Sequence, residues 1–272
     1  MVDLYFDYDT GIIKDAGETS WESHILKDMV NYPIPGEWLE KAKEGESLPV
    51  CLDVGANVGL FTSFYKDVFK RFICIEASRS NCKRMGVNFQ KQGLQHTQIK
   101  RAAAWSDSTS GFKLGYGPDK ARAGDCTMWK KGSSHKEYET VPTISLEGLL
   151  KTYGLREVSL LKVDIEGSEY EFLYGKDLSK IHNLVIELHS GQVGKDKIKK
   201  LVEHIMSFGF SAVVRRSDSD IASELAQAAI QHGNARVAPK ELSDISILEG
   251  VGNLESLQYG CPTVLFTKGS IK

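Results

Sequence analysis

Acidic side chains that stand in or just after short apolar runs are the residues of this sequence best placed to do chemistry. The first is Asp53, within CLDVGANVGLFT, where an apolar run meets glycines at 55 and 59 and then Leu60, Phe61, Phe64, Tyr65, Val68 and Phe69 at helical spacing. That order reads as strand, tight turn and helix. Gly55 lets the backbone turn sharply and a ligand approach, and Gly59 lets the first helical turn sit against the strand. The second acid is Glu76, which closes the next apolar run, FICI. An acid at the tip of a second strand suits a ribose diol. Both a nicotinamide dinucleotide and S-adenosylmethionine carry that diol. A pyrophosphate over the helix N-terminus would be opposed by the Asp53 carboxylate, whereas an ammonium and a sulfonium would not. The loop also lacks the middle glycine of G-x-G-x-x-G and has Leu60 in place of the last. The pattern favours the methyl donor over the dinucleotide.

Two later pairs sit in comparable places. Asp164 and Glu166 follow the apolar run 158–163, and Glu187 and His189 end the run 183–188. If all four face one another they form a cluster of ionisable groups beside the cofactor, where perturbed pKa values are expected. Two ways of activating a hydroxyl compete for them. Asp164 and Glu187 offer the hard oxygens that suit Mg²⁺, which would acidify an acceptor alcohol. His189 is a softer ligand than Mg²⁺ prefers, and a histidine near two acids suits a general base. The expectation is metal-independent catalysis with His189 as base and Asp164 or Glu166 orienting it or the acceptor.

The elements that would position these groups alternate. After Glu76 come a helix over 80–92 stopped by Gly93, a strand through Ile99 toward Trp105, and a helix over 146–153. The strand 158–163, a helix from Ser168, the strand 183–188, a helix over 198–206 and a strand over 210–215 follow. Such alternation marks a parallel, doubly wound α/β sheet. Ligands bind there at the carboxyl ends of strands, so Ala104, Trp105 and Ser106 should approach an adenine. Residues 1–46 read as an N-terminal helical cap, with Trp21, Ile25, Leu26, Met29 and Val30 on one stripe, prolines at 33 and 35, and a shorter helix over 38–42. Residues 47–272 form the main domain. It carries a hairpin and loop insertion at 106–140 and a helical insertion at 217–258, with patches over 221–230 and around 248–257, before a last strand over 262–266.

Composition bounds the partners. With 41% hydrophobic and 26% charged residues and a net charge of −2, the 272-residue chain is a globular protein without the basicity of a nucleic-acid binder. No apolar run approaches the ~18 residues of a membrane span, and the acidic start MVDLYFDYDTG is unlike a basic signal peptide, which points to the cytoplasm. Five cysteines, at 51, 74, 82, 126 and 261, contain no C-x-x-C pair and read as small buried hydrophobes. The segment 120–136 holds Lys120, Arg122, Lys130, Lys131, His135 and Lys136 against Asp125 alone. It is expected to be a mobile lid that prefers an anionic acceptor.

CLDVGANVGLFT, FICIEA, ETVPTISLEGLL, LLKVDIEGSEYEFLYG and LVIELH, in that order, resemble the FkbM-type S-adenosylmethionine-dependent methyltransferases. The resemblance spans about 48–190, and its most specific block is K-x-D-x-E-G-x-E at Lys162, Asp164, Glu166, Gly167 and Glu169. It implies a Rossmann-like class I fold, a seven-stranded, mostly parallel sheet with an antiparallel last strand and helices on both faces. It also implies O-methylation of a small molecule such as a sugar, a sugar nucleotide or a natural product. Asp53, Gly55, Asn57 and Gly59 would hold the methionine part of the cofactor and Glu76 its ribose. A nicotinamide oxidoreductase and a non-catalytic nucleotide-binding module are the competing classes.

Overall fold

The computed structural model describes residues 4–7, 12–15, 34–108, 110–116, 126–128, 137–215, 235–237, 245–248 and 263–268. Strands β1 (Leu4–Asp7) and β2 (Ile12–Asp15) form an antiparallel pair of their own. The expected stripe from Trp21 to Val30 lies outside the described residues, but the shorter helix is present as Gly36–Lys43. Its Trp38 is buried edge-on against Phe69, with ring centroids 6.1 Å apart.

The main sheet is built from β3 (Cys51–Val54), β4 (Phe72–Glu76), β5 (Thr97–Arg101), β10 (Leu160–Val163), β11 (Asn183–Glu187), β12 (Ser211–Arg215) and β15 (Thr263–Thr267). Across the sheet they run β5, β4, β3, β10, β11, β15, β12, with β15 antiparallel to both its neighbours. This is the seven-stranded, mostly parallel arrangement expected from the sequence. Two short strands, β13 (Ala235–Val237) and β14 (Ile245–Leu248), extend the sheet beyond β12. They are the described part of the 217–258 insertion, strand in place of the expected helical insertion, and the expected helical patches over 221–230 and, past Leu248, to 257 lie outside the described residues.

The central strands are buried on both faces, so they read as nearly continuous apolar runs. Side chains alternate between two clusters. Leu52, Val54, Ile73, Ile75, Leu161 and Val163 face helices Leu146–Thr152, Glu169–Leu173 and Lys195–Met206. Cys51, Cys74 and Leu160 face Phe61, Tyr65, Met85 and Phe89 from helices Leu60–Phe64 and Arg79–Lys91. Cys51 and Cys74 are free thiols within that second layer, as expected of small hydrophobes, and burial raises both pKa values well above normal.

The third strand departs from expectation. It ends at Arg101, and the next residues leave for a second sheet as β6 (Ala103–Ala104). There β6 runs parallel to β9 (Glu137–Ile144), which pairs with β7 (Ser110–Tyr116), which in turn pairs with β8 (Cys126–Met128). The 106–140 insertion is therefore an antiparallel sheet branching off at Ala102. Its basic stretches 117–125 and 129–136 fall outside the described residues, so of the expected lid at 120–136 only Cys126–Met128 is described, as a strand.

Gly55 shows how closely the strand ends pack. Its φ is +78°, and an added Cβ would lie 1.6 Å from the Asp164 carbonyl oxygen. Gly154 has a similar φ of +62° but nothing within 4 Å of the same position. Gly154→Ala should cost only the left-handed backbone strain, about 1–2 kcal/mol. Gly55→Ala should cost more than about 3 kcal/mol or prevent folding, because strand ends must separate. Urea unfolding of the two variants checks the contrast, and equal losses would contradict it.

Candidate functional site

The carboxyl ends of β3, β4 and β10 open onto a cleft lined on one side by Gly55, Asn57, Glu76, Ala77 and Asn81. Asp164, Ile165, Glu166 and Ser168 form another wall, and Ala102, Ala103, Ala104, Phe112 and Leu114 close it from the second sheet. Of the residues singled out from the sequence for the cofactor, Gly55, Asn57, Glu76 and Ala104 line this cleft. Gly59 does not line the cleft. It caps the helix Leu60–Phe64 with φ +86°, and an added Cβ would lie 2.6 Å from the Phe89 ring, so it is the packing glycine. Trp105 is half-buried and stands edge-on to Phe112, 5.3 Å between centroids. Phe112, which the sequence reading did not single out, is the aromatic on the cleft wall.

Asp53 corrects the expectation most. Fully buried, it lies behind the loop and not on the cleft wall. One carboxylate oxygen accepts from the Thr62 hydroxyl at 2.8 Å, and the other is 3.4 Å from Lys162 Nζ. The parallel register places Asp53 beside Lys162, which puts both side chains on one face of the sheet. The lysine also donates to the Gly55 carbonyl at 2.8 Å and stands 3.6 Å from Asp164. Burial alone would lower the pKa of Lys162, but Asp53 and Asp164 hold it above its usual value. A lysine inside the apolar run VSLLKVD was the available signal, since a buried cation needs a partner.

Glu76 secures the loop from the other side. Its oxygens accept from the Asn57 amide at 2.9 Å and the Ser78 amide at 2.7 Å. Asn57 has φ +53°, a conformation that asparagine tolerates better than most residues. Burial pushes the Glu76 pKa up to about 7 against the pull of those two amides.

At the other end of the cleft β10 and β11 bring Asp164, Glu166, Glu187 and His189 together, the cluster expected from the sequence. The turn after β10 places Glu166 at φ +52° and Gly167 at φ +95°. Glu169, from the start of the next helix, is fully buried and holds His189 Nδ1 at 2.7 Å while accepting from the Gly167 amide at 3.0 Å. His189 Nε2 lies 3.5 Å from Glu166 and 3.8 Å from Glu187. Burial alone would lower the His189 pKa, but Glu169, Glu166 and Asp164 push it up to about 10. The carboxylates around the ring therefore favour a proton on it. Burial and the Asp164 charge raise Glu187 to about 8, and burial raises Glu166 in the same direction.

Lys162→Met should leave Asp53 buried without its cation and lower the unfolding free energy by about 3–5 kcal/mol. Combining it with Asp53→Asn should recover part of that loss, since the two residues interact directly. A double-variant stability equal to the sum of the single losses would show that the pair is not coupled.

Residues 53–215 match the family model described as the methyltransferase FkbM domain. Over 182 residues, 66% of this chain and 71% of the relative, the sequence is 27% identical to hexuronic acid methyltransferase AglP of Haloferax volcanii. Among solved structures, methyltransferase FkbM from Methylobacillus flagellatus aligns with a TM-score of 0.45 and 12% identity over 89% of this chain. This chain spans 50% of that longer protein. An O-methyltransferase from Bacillus cereus aligns with a TM-score of 0.43 and 10% identity, over 89% of this chain and 87% of its own. The family model starts in β3 and ends with β12, more than half of the sequence, and the chain belongs to the FkbM methyltransferases.

Proposed function

We propose that this chain transfers the methyl group of S-adenosylmethionine to a hydroxyl of a small, sugar-like acceptor of the hexuronic acid class. The observation that carries this reading is one cleft with two chemically different ends. Glu76, with two backbone amides already bound, has lone pairs left for a ribose diol. Phe112, Leu114 and the alanines 102–104 offer an apolar slot for an adenine next to it. Gly55 and Asn57 leave the backbone open to the methionine part, while Asp53 supports them from behind through Lys162. The cluster of Asp164, Glu166 and His189 then lies at the acceptor's end. The AglP relative supports a uronic acid as acceptor. So does the basic composition of 120–136, which suits a carboxylate.

Methyl transfer is an in-line displacement. The acceptor oxygen forms its bond to the methyl carbon as the carbon–sulfur bond breaks, S-adenosylhomocysteine leaves, and the hydroxyl proton passes to the protein. The sulfonium activates the carbon, so the protein mainly aligns the oxygen and receives the proton. Asp164, Glu166 and His189 are the groups that align it. The proton passes to a group of that cluster.

Glu76→Gln keeps the side-chain shape and removes the charge, so S-adenosylhomocysteine should bind more weakly by roughly 1.5–3 kcal/mol. Because the ribose hydroxyls donate to the ionised carboxylate, wild-type affinity should fall as pH drops through about 7, and the variant should show no such step. Calorimetry across pH measures both, and an unchanged affinity in the variant would remove Glu76 from the cofactor site. For the acceptor end, His189→Ala should lower kcat by about 10²–10⁴ on hexuronic acid acceptors with S-adenosylhomocysteine affinity intact. Full activity in that variant would take the histidine out of the mechanism.

A further inference from the structure

The acidic cluster at the acceptor end has the geometry of a set of ligands around a point. One oxygen from each of Asp164 and Glu166 and one ring nitrogen of His189 lie within 4.8 Å of one another. Ligands bonded to one ion at about 2.0–2.2 Å stand roughly 3–4.4 Å apart, from right-angle to opposite positions. The separation of 3.5 Å between His189 Nε2 and Glu166 Oε2 falls in that range. A charge-assisted hydrogen bond would be shorter, about 2.7–2.9 Å.

A second, independent feature is the way the histidine is held. His189 is 5% exposed, and its Nδ1 is fixed by the fully buried Glu169 at 2.7 Å. Glu169 is itself fixed by the Gly167 amide. An imidazole that donates one N–H to a buried carboxylate presents its other nitrogen as a lone pair, the arrangement that orients metal-binding histidines. Nε2 faces the carboxylates of Glu166 and Glu187, at 3.5 and 3.8 Å. Charge points the same way. Asp53, Asp164, Glu166, Glu169 and Glu187 surround Lys162 and His189, and Lys162 is taken up by Asp53 and the Gly55 carbonyl.

We propose that Asp164, Glu166 and His189 Nε2 bind a divalent cation at the acceptor end of the cleft. One imidazole with two carboxylates suits Mn²⁺ or Zn²⁺ better than Mg²⁺, which prefers oxygen ligands and retains its water. The cation takes the place of the Nε2 proton, and Glu169 is a positioning residue. This replaces the metal-independent histidine base expected from the sequence, because the orienting carboxylate lies in a helix that the sequence reading left without a role. The site's existence does not depend on the methyltransferase reading. Its use does, since a bound cation would hold the acceptor oxygen and lower its pKa.

The test is calorimetric titration of the chelator-treated full chain with MnCl₂, ZnCl₂ and MgCl₂, together with Mn²⁺ electron paramagnetic resonance. The expected result is one saturable site per chain, with Mn²⁺ or Zn²⁺ at least tenfold tighter than Mg²⁺. His189→Gln and Asp164→Asn should each abolish it. Glu169→Gln, which keeps the shape and loses the charge, should weaken it about 10–100-fold. S-adenosylhomocysteine binding, measured in the same preparations, reports separately on the methyltransferase reading. If wild-type protein binds S-adenosylhomocysteine but takes up none of the three cations at millimolar concentration, the metal site is wrong and the function stands. Cation binding that survives in His189→Gln would equally overturn the ligand set.

Discussion

A buried ammonium joins the first and fourth strands of this fold in chain order of the parallel sheet. Lys162 is 2% exposed, yet its charge is met by Asp53 from β3 and by Asp164 just past the end of β10, and it donates to the Gly55 carbonyl. Moving such charges out of water is expensive, and their mutual attraction offsets the cost only when geometry is good and hydrogen bonds are satisfied. The contact therefore acts less as a source of net stability than as a constraint on shape. It fixes the Gly55 peptide against the end of β10, where even a methyl group would collide with Asp164. The glycine loop has no freedom to drift from the cleft, because both ends of its turn are held: one by Lys162, the other by Glu76 on the Asn57 amide.

The sequence made the alternation of strands and helices legible because buried parallel strands leave continuous apolar runs and their helices leave a 3.6-residue stripe. Glu76, Asp164, Glu166 and His189 were legible for the same reason, as polar residues just where those runs stop. The choice of methyl donor over dinucleotide, argued from the Asp53 charge, agrees with the family. The direct role given to Asp53 does not agree with its place behind the loop. In a strand buried on both faces a carboxylate next to the turn points either to the ligand or into the helix layer. Only the strand register, with Lys162 alongside and Thr62 above, decides it.

What stayed hidden shares a cause. Glu169 stands at the start of a helix, where an acid is ordinarily exposed and favourable. It instead turns inward under His189, because the positive φ values at Glu166 and Gly167 redirect the chain before the helix begins. Trp105 reads as the aromatic of the adenine slot because it follows the third strand, but the chain leaves the main sheet at Ala102. The aromatic that lines the slot is Phe112, supplied by a strand whose pairing is non-local. Turn dihedrals and strand partners are tertiary facts, and one-dimensional periodicity does not contain them.

That branch at Ala102 also bears on how the cleft divides. Ala102 follows the third strand, Ala103 and Ala104 begin the second sheet, and Ala77 follows Glu76, all four lining the cleft. Small side chains there leave a gap between the sheet and anything stacked on it. Phe112 and Leu114, two residues apart and so on one face of β7, bring the bulk to that wall. Leu114 packs with Ala103 and Val141 in a small core separate from the two main clusters, with Ala77 and Phe112 at its edge. The wall of the slot is therefore fastened to the accessory sheet and the acidic cluster to the main one. A shift of the antiparallel sheet would change the apolar end of the cleft while leaving Asp164, Glu166 and His189 in place. In this architecture the two ends can vary independently, so an insertion beside the apolar end is compatible with an unchanged set of groups at the acidic end.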